Sequence, residues 1–180
     1  MIYIHLAEGF EEIEALTIVD VLLRAGCDAK TVSVTGNTDV AGTHGVHVTA
    51  DLLFEDADYS LCEMIVLPGG LPGATNLLAH EGLEEQIKAF HAQGKKLAAI
   101  CAAPMVFGAH GIITDKDATI YPGMEEYLRG ARPTGETVSV DGNVITGQGP
   151  ALAMEFALKL VEELKGKETR DQVAEGLLFD

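Results

Sequence analysis

The chain has 180 residues, of which 47% are hydrophobic and 22% are charged, and its formal net charge at pH 7 is −16. This composition is typical of one folded domain, residues 1–180, and excludes a disordered chain. Because so acidic a surface repels phosphate backbones and anionic lipids, we expect neither nucleic acid nor a membrane as a partner.

The cysteines and the opening segment indicate a protein of the reducing cytoplasm. Cys27, Cys62 and Cys101 are widely separated, and no pair has C-x-x-C spacing. A structural zinc site is therefore not expected, and the sequence predicts no metal ligand. The opening segment has no basic stretch and turns acidic at Glu8, unlike a secretory signal. Proline and glycine interrupt the longest apolar run, 97–113, which is unlike a membrane span.

A short apolar strand is predicted at residues 2–6, and an amphipathic helix follows it. Ile13, Leu16, Val19 and Leu23 recur at helical spacing, which predicts that they lie on the buried face of this helix. A glycine shortly after Leu23 ends the helix.

Two further strands and a small ribbon are predicted before the middle of the chain. Residues 29–34 form the second strand, and residues 46–50 alternate weakly, as in an edge ribbon. Residues 63–70 form a buried run that ends in a proline and two glycines. An amphipathic helix is predicted next, over residues 81–94, with three inward residues: Leu83, Ile87 and Phe90.

The second half of the chain repeats the alternation of strand and helix. A strand leads directly into Cys101, and small, helix-compatible residues follow it. Residues 137–147 are two β-rich runs around Asp-Gly-Asn, which predicts a hairpin. The last helix begins near Pro150 and ends at Gly166. Strands and helices in alternation predict βαβ units and a mainly parallel sheet covered on both faces.

Three candidate groups follow predicted strands: the acidic turn 11–14, the pair Gly69 and Gly70, and Cys101. Reactive groups of parallel sheets gather at the C-terminal ends of strands, so neighbouring strands would bring these groups to one crevice. Each group also has a structural interpretation. A buried cysteine is a small hydrophobe, acidic residues stabilise the start of a helix, and paired glycines allow a tight turn.

A cysteine nucleophile needs a pKa below its ordinary value of about 8.5. A helix beginning at Cys101 would lower that pKa, and Glu14 would help only as a neutral acid with a raised pKa. The backbone amides of Gly70 and Ala102 could hold the oxygen of an attacked carbonyl. The first turn lacks G-x-G-x-x-G, so dinucleotide binding is not expected.

Four motifs together resemble the ThiJ/PfpI superfamily, in the branch of the parkinsonism-associated protein deglycase and bacterial YajL. They are GFEEIEA, VLPGG, AAICAAP and GQGPALAMEFAL, and the likeness covers residues 2–173. The resemblance implies a flavodoxin-like three-layer α/β sandwich with a mainly parallel sheet, and a homodimer without a cofactor. It further implies Cys101 on a nucleophile elbow, Glu14 as its acid partner, and Gly70 with Ala102 as oxyanion donors.

The sequence departs from the family pattern at several positions. Tyr121 stands where many members carry a histidine, so the usual general base is missing. Ala102 follows the cysteine where the protease-like branch has a histidine, which argues against peptidase activity. His44 lies near the place of an arginine that some relatives direct toward the partner's site. Arg24 matches a family position near the site, although an ion pair with Asp20 explains it equally well. The predicted substrate-binding residues are Gly69, Tyr121 and Arg24.

The leading hypothesis is a cysteine-dependent, cofactor-free glyoxalase or deglycase. Its substrates would be methylglyoxal-type α-oxoaldehydes or their protein adducts, and its role would be protection under oxidative and carbonyl stress. With no histidine, Glu14 carries the acid–base chemistry, which predicts a slow enzyme. The alternative is a redox-sensing or chaperone-type stress protein that works through oxidation of Cys101 without significant turnover. Amidotransferase-like hydrolysis is disfavoured because no histidine is positioned for it.

Overall fold

The computed structural model describes residues 1–179, in which β-strands and helices alternate along the chain. Its strands are, in chain order, β1 (Ile2–Leu6), β2 (Ala29–Ser33), β3 (Asp39–Ala41), β4 (His47–Thr49), β5 (Leu52–Leu53), β6 (Met64–Leu67), β7 (Lys96–Ile100), β8 (Asp117–Ala118), β9 (Arg132–Pro133), β10 (Val138–Asp141) and β11 (Val144–Gly147). Its α-helices are α1 (Glu12–Arg24), α2 (Gly73–Leu78), α3 (Glu81–Gln93), α4 (Pro104–Ala109), α5 (Ala153–Lys165) and α6 (Lys167–Gly176).

Seven strands form the central sheet, in the order β10-β11-β7-β6-β1-β2-β5. Neighbours pair in parallel except β10 and β11, which form the predicted antiparallel hairpin. The strands β3 and β4 form a separate ribbon, close to the predicted one. One group of helices contains α1, α5 and α6, the other contains α2, α3 and α4, and the two groups flank the sheet. The mainly parallel, flavodoxin-like α/β sandwich expected from the sequence is thereby confirmed.

The central strands β1, β6 and β7 are buried almost throughout, which explains why they appear in the sequence as continuous apolar runs. The helix α3 also matches the prediction, since Leu83, Ile87 and Phe90 are buried and Gly94 ends it in the left-handed conformation. No helix of residues 1–179 is both long enough and apolar enough to cross a membrane.

The prediction for the face of α1 was wrong for three of its four residues, since only Val19 packs partly against the core. Ile13, Leu16 and Leu23 are exposed, with 57%, 42% and 51% of their surface accessible. The buried face contains instead Glu12, Glu14, Ala15, Ile18, Val21 and Leu22. The apolar spacing is helical, but it marks a second apolar stripe on the outer side of the helix rather than the contact with the sheet.

The segment after Cys101 also differs from the prediction. Residues 101–103 form a turn, and α4 begins only at Pro104 and is six residues long. The last predicted helix is divided, because a 3₁₀ turn at Pro150–Leu152 precedes α5. The helix α6 was not predicted, since its sequence is largely polar and only Val173 and Ala174 are buried.

Candidate active site

The candidate groups converge because β1, β6 and β7 are adjacent in the sheet and run in the same direction. Cys101 directly follows β7, the pair Gly69 and Gly70 follows β6, and Glu14 lies in the first turn of α1, which follows β1. The structure therefore brings together the carboxyl, the glycine amides and the thiol that the sequence placed at strand ends.

Cys101 occupies a strained elbow between β7 and α4. Its φ angle of +62° lies in the left-handed region, which non-glycine residues rarely adopt. Two backbone hydrogen bonds hold this conformation: the Cys101 N–H donates to the Gly147 carbonyl at 2.9 Å, and the Tyr121 N–H donates to the Cys101 carbonyl at 2.9 Å. Such an elbow presents a nucleophilic side chain at the edge of a sheet. Cys101 retains 8% of its surface accessible.

Glu14 is fully buried beside this cysteine. Its Oε2 accepts a hydrogen bond from the Gly69 N–H at 2.7 Å, whereas its Oε1 is buried and has no hydrogen-bond donor among residues 1–179. Burial raises the pKa of the Glu14 carboxyl to about 7, although the Gly69 N–H and the neighbouring Cys101 thiol act in the opposite direction. The raised pKa predicted for this carboxyl agrees with the structure.

The thiol pKa differs from the prediction. Burial first, and the negative charge of Glu14 second, raise the pKa of Cys101 to about 12, while the backbone amides of Gly70 and Ala102 lower it. The sequence predicted a helix that begins at Cys101, whereas α4 begins three residues later and is six residues long. The Cys101 thiol and the Glu14 carboxyl therefore titrate as a coupled pair, and above pH 7 the pair retains one proton.

A surface cavity of about 340 Å³ opens onto Cys101. Its other lining residues are Gly70, Leu71, Ala102, Tyr121, Pro122, Gly123 and Met124, none of which is charged. Tyr121 lines this cavity and has 46% of its surface accessible, and its predicted contact with the substrate stays a prediction. Leu71 and Met124 were not predicted, because only their positions beside the glycine turn and near Tyr121 mark them in the sequence.

Two predicted substrate-binding residues do not line this cavity. The Gly69 N–H donates to Glu14, and a Cβ at this position would lie 2.5 Å from the Cys101 Cβ, so this glycine lies between the carboxyl and the cysteine. Arg24 lies at the far end of α1 and pairs with Asp20 at 2.7 Å. The ion pair is thus present, and the role of Arg24 at the substrate stays a prediction.

The chain is similar to known proteins over nearly its whole length. The model of the DJ-1/PfpI family matches residues 1–163. Protein DJ-1 homolog B of Arabidopsis thaliana is 39% identical over 99% of this chain, and the glutathione-independent glyoxalase DJR-1.2 of Caenorhabditis elegans is 32% identical over 94%. This chain spans 41% of the first relative's length and 91% of the second's.

Solved structures show the same similarity. The oxidized DJ-1 of Toxoplasma gondii superposes with a TM-score of 0.95 at 36% identity, covering 99% of this chain and 97% of that one. The DJ-1beta of Drosophila melanogaster gives a TM-score of 0.94 at 36% identity, with the same coverage of both chains.

Proposed function

Because this chain belongs to the DJ-1/PfpI family, we propose that it is a cysteine-dependent, cofactor-free glyoxalase that converts methylglyoxal-type α-oxoaldehydes into 2-hydroxy acids in the cytoplasm. One observation carries the proposal. The Cys101 thiol lies on a strained elbow between a buried carboxyl and two backbone amides, and an uncharged cavity opens onto it. A relative of 32% identity is named a glutathione-independent glyoxalase.

The first step joins the Cys101 sulfur to the aldehyde carbon. The Glu14 carboxylate accepts the thiol proton as the carbon–sulfur bond forms, and the carbonyl electron pair moves onto the oxygen. The amides of Gly70 and Ala102, which already point at the sulfur, stabilise that oxyanion. Proton transfer from Glu14 to the oxygen then gives a hemithioacetal. A pKa of about 7 suits Glu14 to both directions of transfer at neutral pH.

The second step is an isomerisation. Glu14 removes the proton from the former aldehyde carbon and returns a proton to the neighbouring carbon, while the hydroxyl proton passes to the ketone oxygen. The product is a 2-hydroxy thioester on Cys101, which water hydrolyses to the free 2-hydroxy acid and the thiol. Glu14 serves both proton transfers, so we expect slow turnover.

Deglycation of proteins would follow from the same chemistry in two ways. The site could act directly on reversible adducts of methylglyoxal, or removal of the free aldehyde could dissociate them by mass action. A protective role in oxidative and carbonyl stress is consistent with either route.

The decisive experiment measures lactate formed from methylglyoxal by the purified chain. We expect lactate from the wild type and a loss of about 10²–10⁴-fold after Cys101→Ser or Glu14→Gln. The matched control is Cys62→Ser, which alters a buried cysteine whose thiol donates to the Met64 carbonyl, away from the cavity. Turnover that survives Cys101→Ser would contradict the proposal.

A redox-sensing or chaperone-type role is the second candidate, favoured by the similarity to a structure described as oxidized. A peroxide would transfer one oxygen to the Cys101 sulfur to give a sulfenic acid, with water or an alcohol leaving. A protonated Glu14 could donate a hydrogen bond to the new oxygen. Selective oxidation of Cys101 by peroxide, together with no lactate formation, would favour this role over the glyoxalase.

A homodimer is part of the proposal, because a second copy would cover the exposed stripe on α1. Ile13, Leu16 and Leu23 are each more than two-fifths exposed, and Val46 beside them is 50% exposed. The Val46 N–H donates to the Glu12 Oε1 at 3.4 Å, so this loop lies against the start of α1, and exposed apolar residues there favour a contact with a second copy. Sedimentation of wild type and Leu16→Glu tests this, with Val140→Glu as an exposed apolar control on β10. A wild-type monomer would contradict it.

A further inference from the structure

The cavity at Cys101 has a buried floor and two apolar walls. Its floor is formed by Cys101 and Ala102, which are both buried. Leu71 forms one wall, and the segment 121–124 forms the other. Leu71 is 53% exposed, and Tyr121 is also exposed, so large apolar side chains lie uncovered on both walls. Exposed apolar surface gathered around one cavity is typical of a ligand-binding site.

The two walls approach Cys101 from opposite sides of β7. Leu71 follows β6, which pairs with one edge of β7, whereas β11 pairs with the other edge. A Cβ on Gly149, which follows β11, would lie 3.3 Å from the Tyr121 ring, so this ring lies on the β11 side. The Tyr121 carbonyl accepts the Met124 N–H at 3.0 Å, and this turn returns Met124 to the cavity.

The charges around the cavity disfavour an anionic ligand. None of the residues that line it is charged. Both oxygens of the Glu125 carboxylate accept the Gly123 N–H at 3.0 Å, and the Glu14 carboxyl lies beside Cys101. A carboxylate or phosphate on the substrate would lie near these acidic groups without a cation among the lining residues, in a chain whose net charge is −16.

We infer that this cavity selects α-oxoaldehydes whose ketone carries an apolar group, aryl or branched alkyl, over those that carry a carboxylate or a phosphate. The inference rests on the proposed function, because it concerns the part of the same substrate that does not react. The aldehyde carbon meets Cys101, and the substituent lies between Leu71 and Met124. An aromatic substituent would contact the Tyr121 ring and the Met124 sulfur.

The size of the cavity also favours a substituent larger than methyl. Its volume of about 340 Å³ falls within the range of roughly 300–1,000 Å³ that is usual for sites that enclose small-molecule ligands. The methyl group of methylglyoxal would leave much of both walls uncovered. A larger apolar substituent would remove more of this surface from water, which strengthens binding.

The reaction with such a substrate is the isomerisation already described. Phenylglyoxal would give mandelate: the Cys101 sulfur adds to the aldehyde carbon, Glu14 transfers the proton of that carbon to the ketone carbon, and water releases the acid. The aldehyde carbon is oxidised as the ketone carbon is reduced, so the step balances without an external oxidant.

The first test compares kcat/KM for phenylglyoxal and for its para-carboxylate, which have the same ring and the same reacting group. We expect wild type to prefer phenylglyoxal at least about tenfold. Leu71→Lys should reduce this preference at least about fivefold, because an exposed ammonium would pair with the carboxylate. The matched control is Val140→Lys, which makes the same change at an exposed position of β10 outside the cavity and should leave the preference unchanged.

The apolar contact is tested by comparing phenylglyoxal with methylglyoxal. Met124→Ala should lower the ratio of their kcat/KM values at least about threefold, because the truncated side chain no longer reaches the ring. A ratio within one protein is independent of how much of that protein is folded. A ratio unchanged by Met124→Ala would contradict the contact.

Alkylation of Cys101 provides a readout that needs no turnover. Phenacyl bromide and its para-carboxylate are compared, each rate is divided by the rate with free 2-mercaptoethanol, and mass spectrometry locates the label at Cys101. We expect the uncharged reagent to react at least about tenfold faster, and Leu71→Lys to reduce that difference. Equal normalised rates, no reaction at Cys101, or a preference unchanged by Leu71→Lys would overturn the inference. Absence of lactate together with selective alkylation would overturn only the glyoxalase proposal.

Discussion

Replacing Glu14 with glutamine should make the protein more stable at neutral pH. The side chain is fully buried, and burial raises the pKa of its carboxyl from 4.5 to about 7. Between these values the folded state retains a proton that the unfolded state has released, so stability falls as pH rises. At about 1.4 kcal/mol for each pKa unit, ionisation of Glu14 costs the folded state about 3 kcal/mol above pH 7.

The assay is urea denaturation of wild type and Glu14→Gln, in reductant and chelator, at intervals from pH 4 to about 8. Glutamine keeps the volume and can still accept the Gly69 N–H, so the two proteins should have similar stability near pH 4. Their difference should grow with pH and level off above pH 7 near about 3 kcal/mol in favour of the variant. A difference independent of pH, or one that favours the wild type, would refute a raised pKa at this site.

Comparing wild type with Glu14→Gln also separates the effect of Glu14 on stability from the effects of the other buried titratable groups. Burial lowers the pKa of His5 to about 3, so the unfolded state takes up a proton that the folded state excludes. Stability is therefore lost as pH falls from 6.5 toward 3, which is the opposite direction from Glu14. Because wild type and Glu14→Gln share His5, this contribution cancels in their difference.

Three further predictions concern activity and packing. The kcat/KM for lactate formation should rise with pH through about 7, because Glu14 must be ionised to accept the thiol proton. A kcat/KM that does not depend on pH, measured in chelator, would count against this step. Tyr121→Phe should keep kcat/KM within about twofold of the wild-type value, since the Tyr121 hydroxyl makes no hydrogen bond among residues 1–179. A loss of about 10²-fold would show that the phenol takes part in the reaction. Gly69→Ala should lower both thermal stability and activity because its Cβ would meet the Cys101 Cβ at 2.5 Å, whereas Gly176→Ala, with no atom within 4 Å, should change neither.

The arrangement of the site could be anticipated because it follows from topology. Apolar runs identified β1, β6 and β7, and parallel neighbours bring the residues after their C-terminal ends together. These two facts were enough to predict that Cys101, Glu14 and Gly70 lie close together. The pKa of the thiol could not be anticipated, because it depends on the depth of burial and on a charge from another element.

The buried face of α1 was predicted wrongly for a different reason. Helical spacing identifies an apolar stripe but does not say what covers it. Here the stripe of Ile13, Leu16 and Leu23 faces outward, and the sheet side accommodates Glu14 and Ala15 beside larger residues. Under the proposed function the buried face must hold a carboxyl, and a charged residue on that face is an exception that the apolar pattern cannot predict.

Because Cys101 lies at the end of a central strand, large reagents should reach it only when that strand opens. Ile100 and Ala99 are fully buried, and β7 is paired on both sides, with β6 and β11. Hydrogen exchange at these amides should therefore require global unfolding, whereas the short edge strand β5 should exchange through local fraying. The elbow thus follows the strand that should exchange most slowly, and its shape should persist until the whole domain opens.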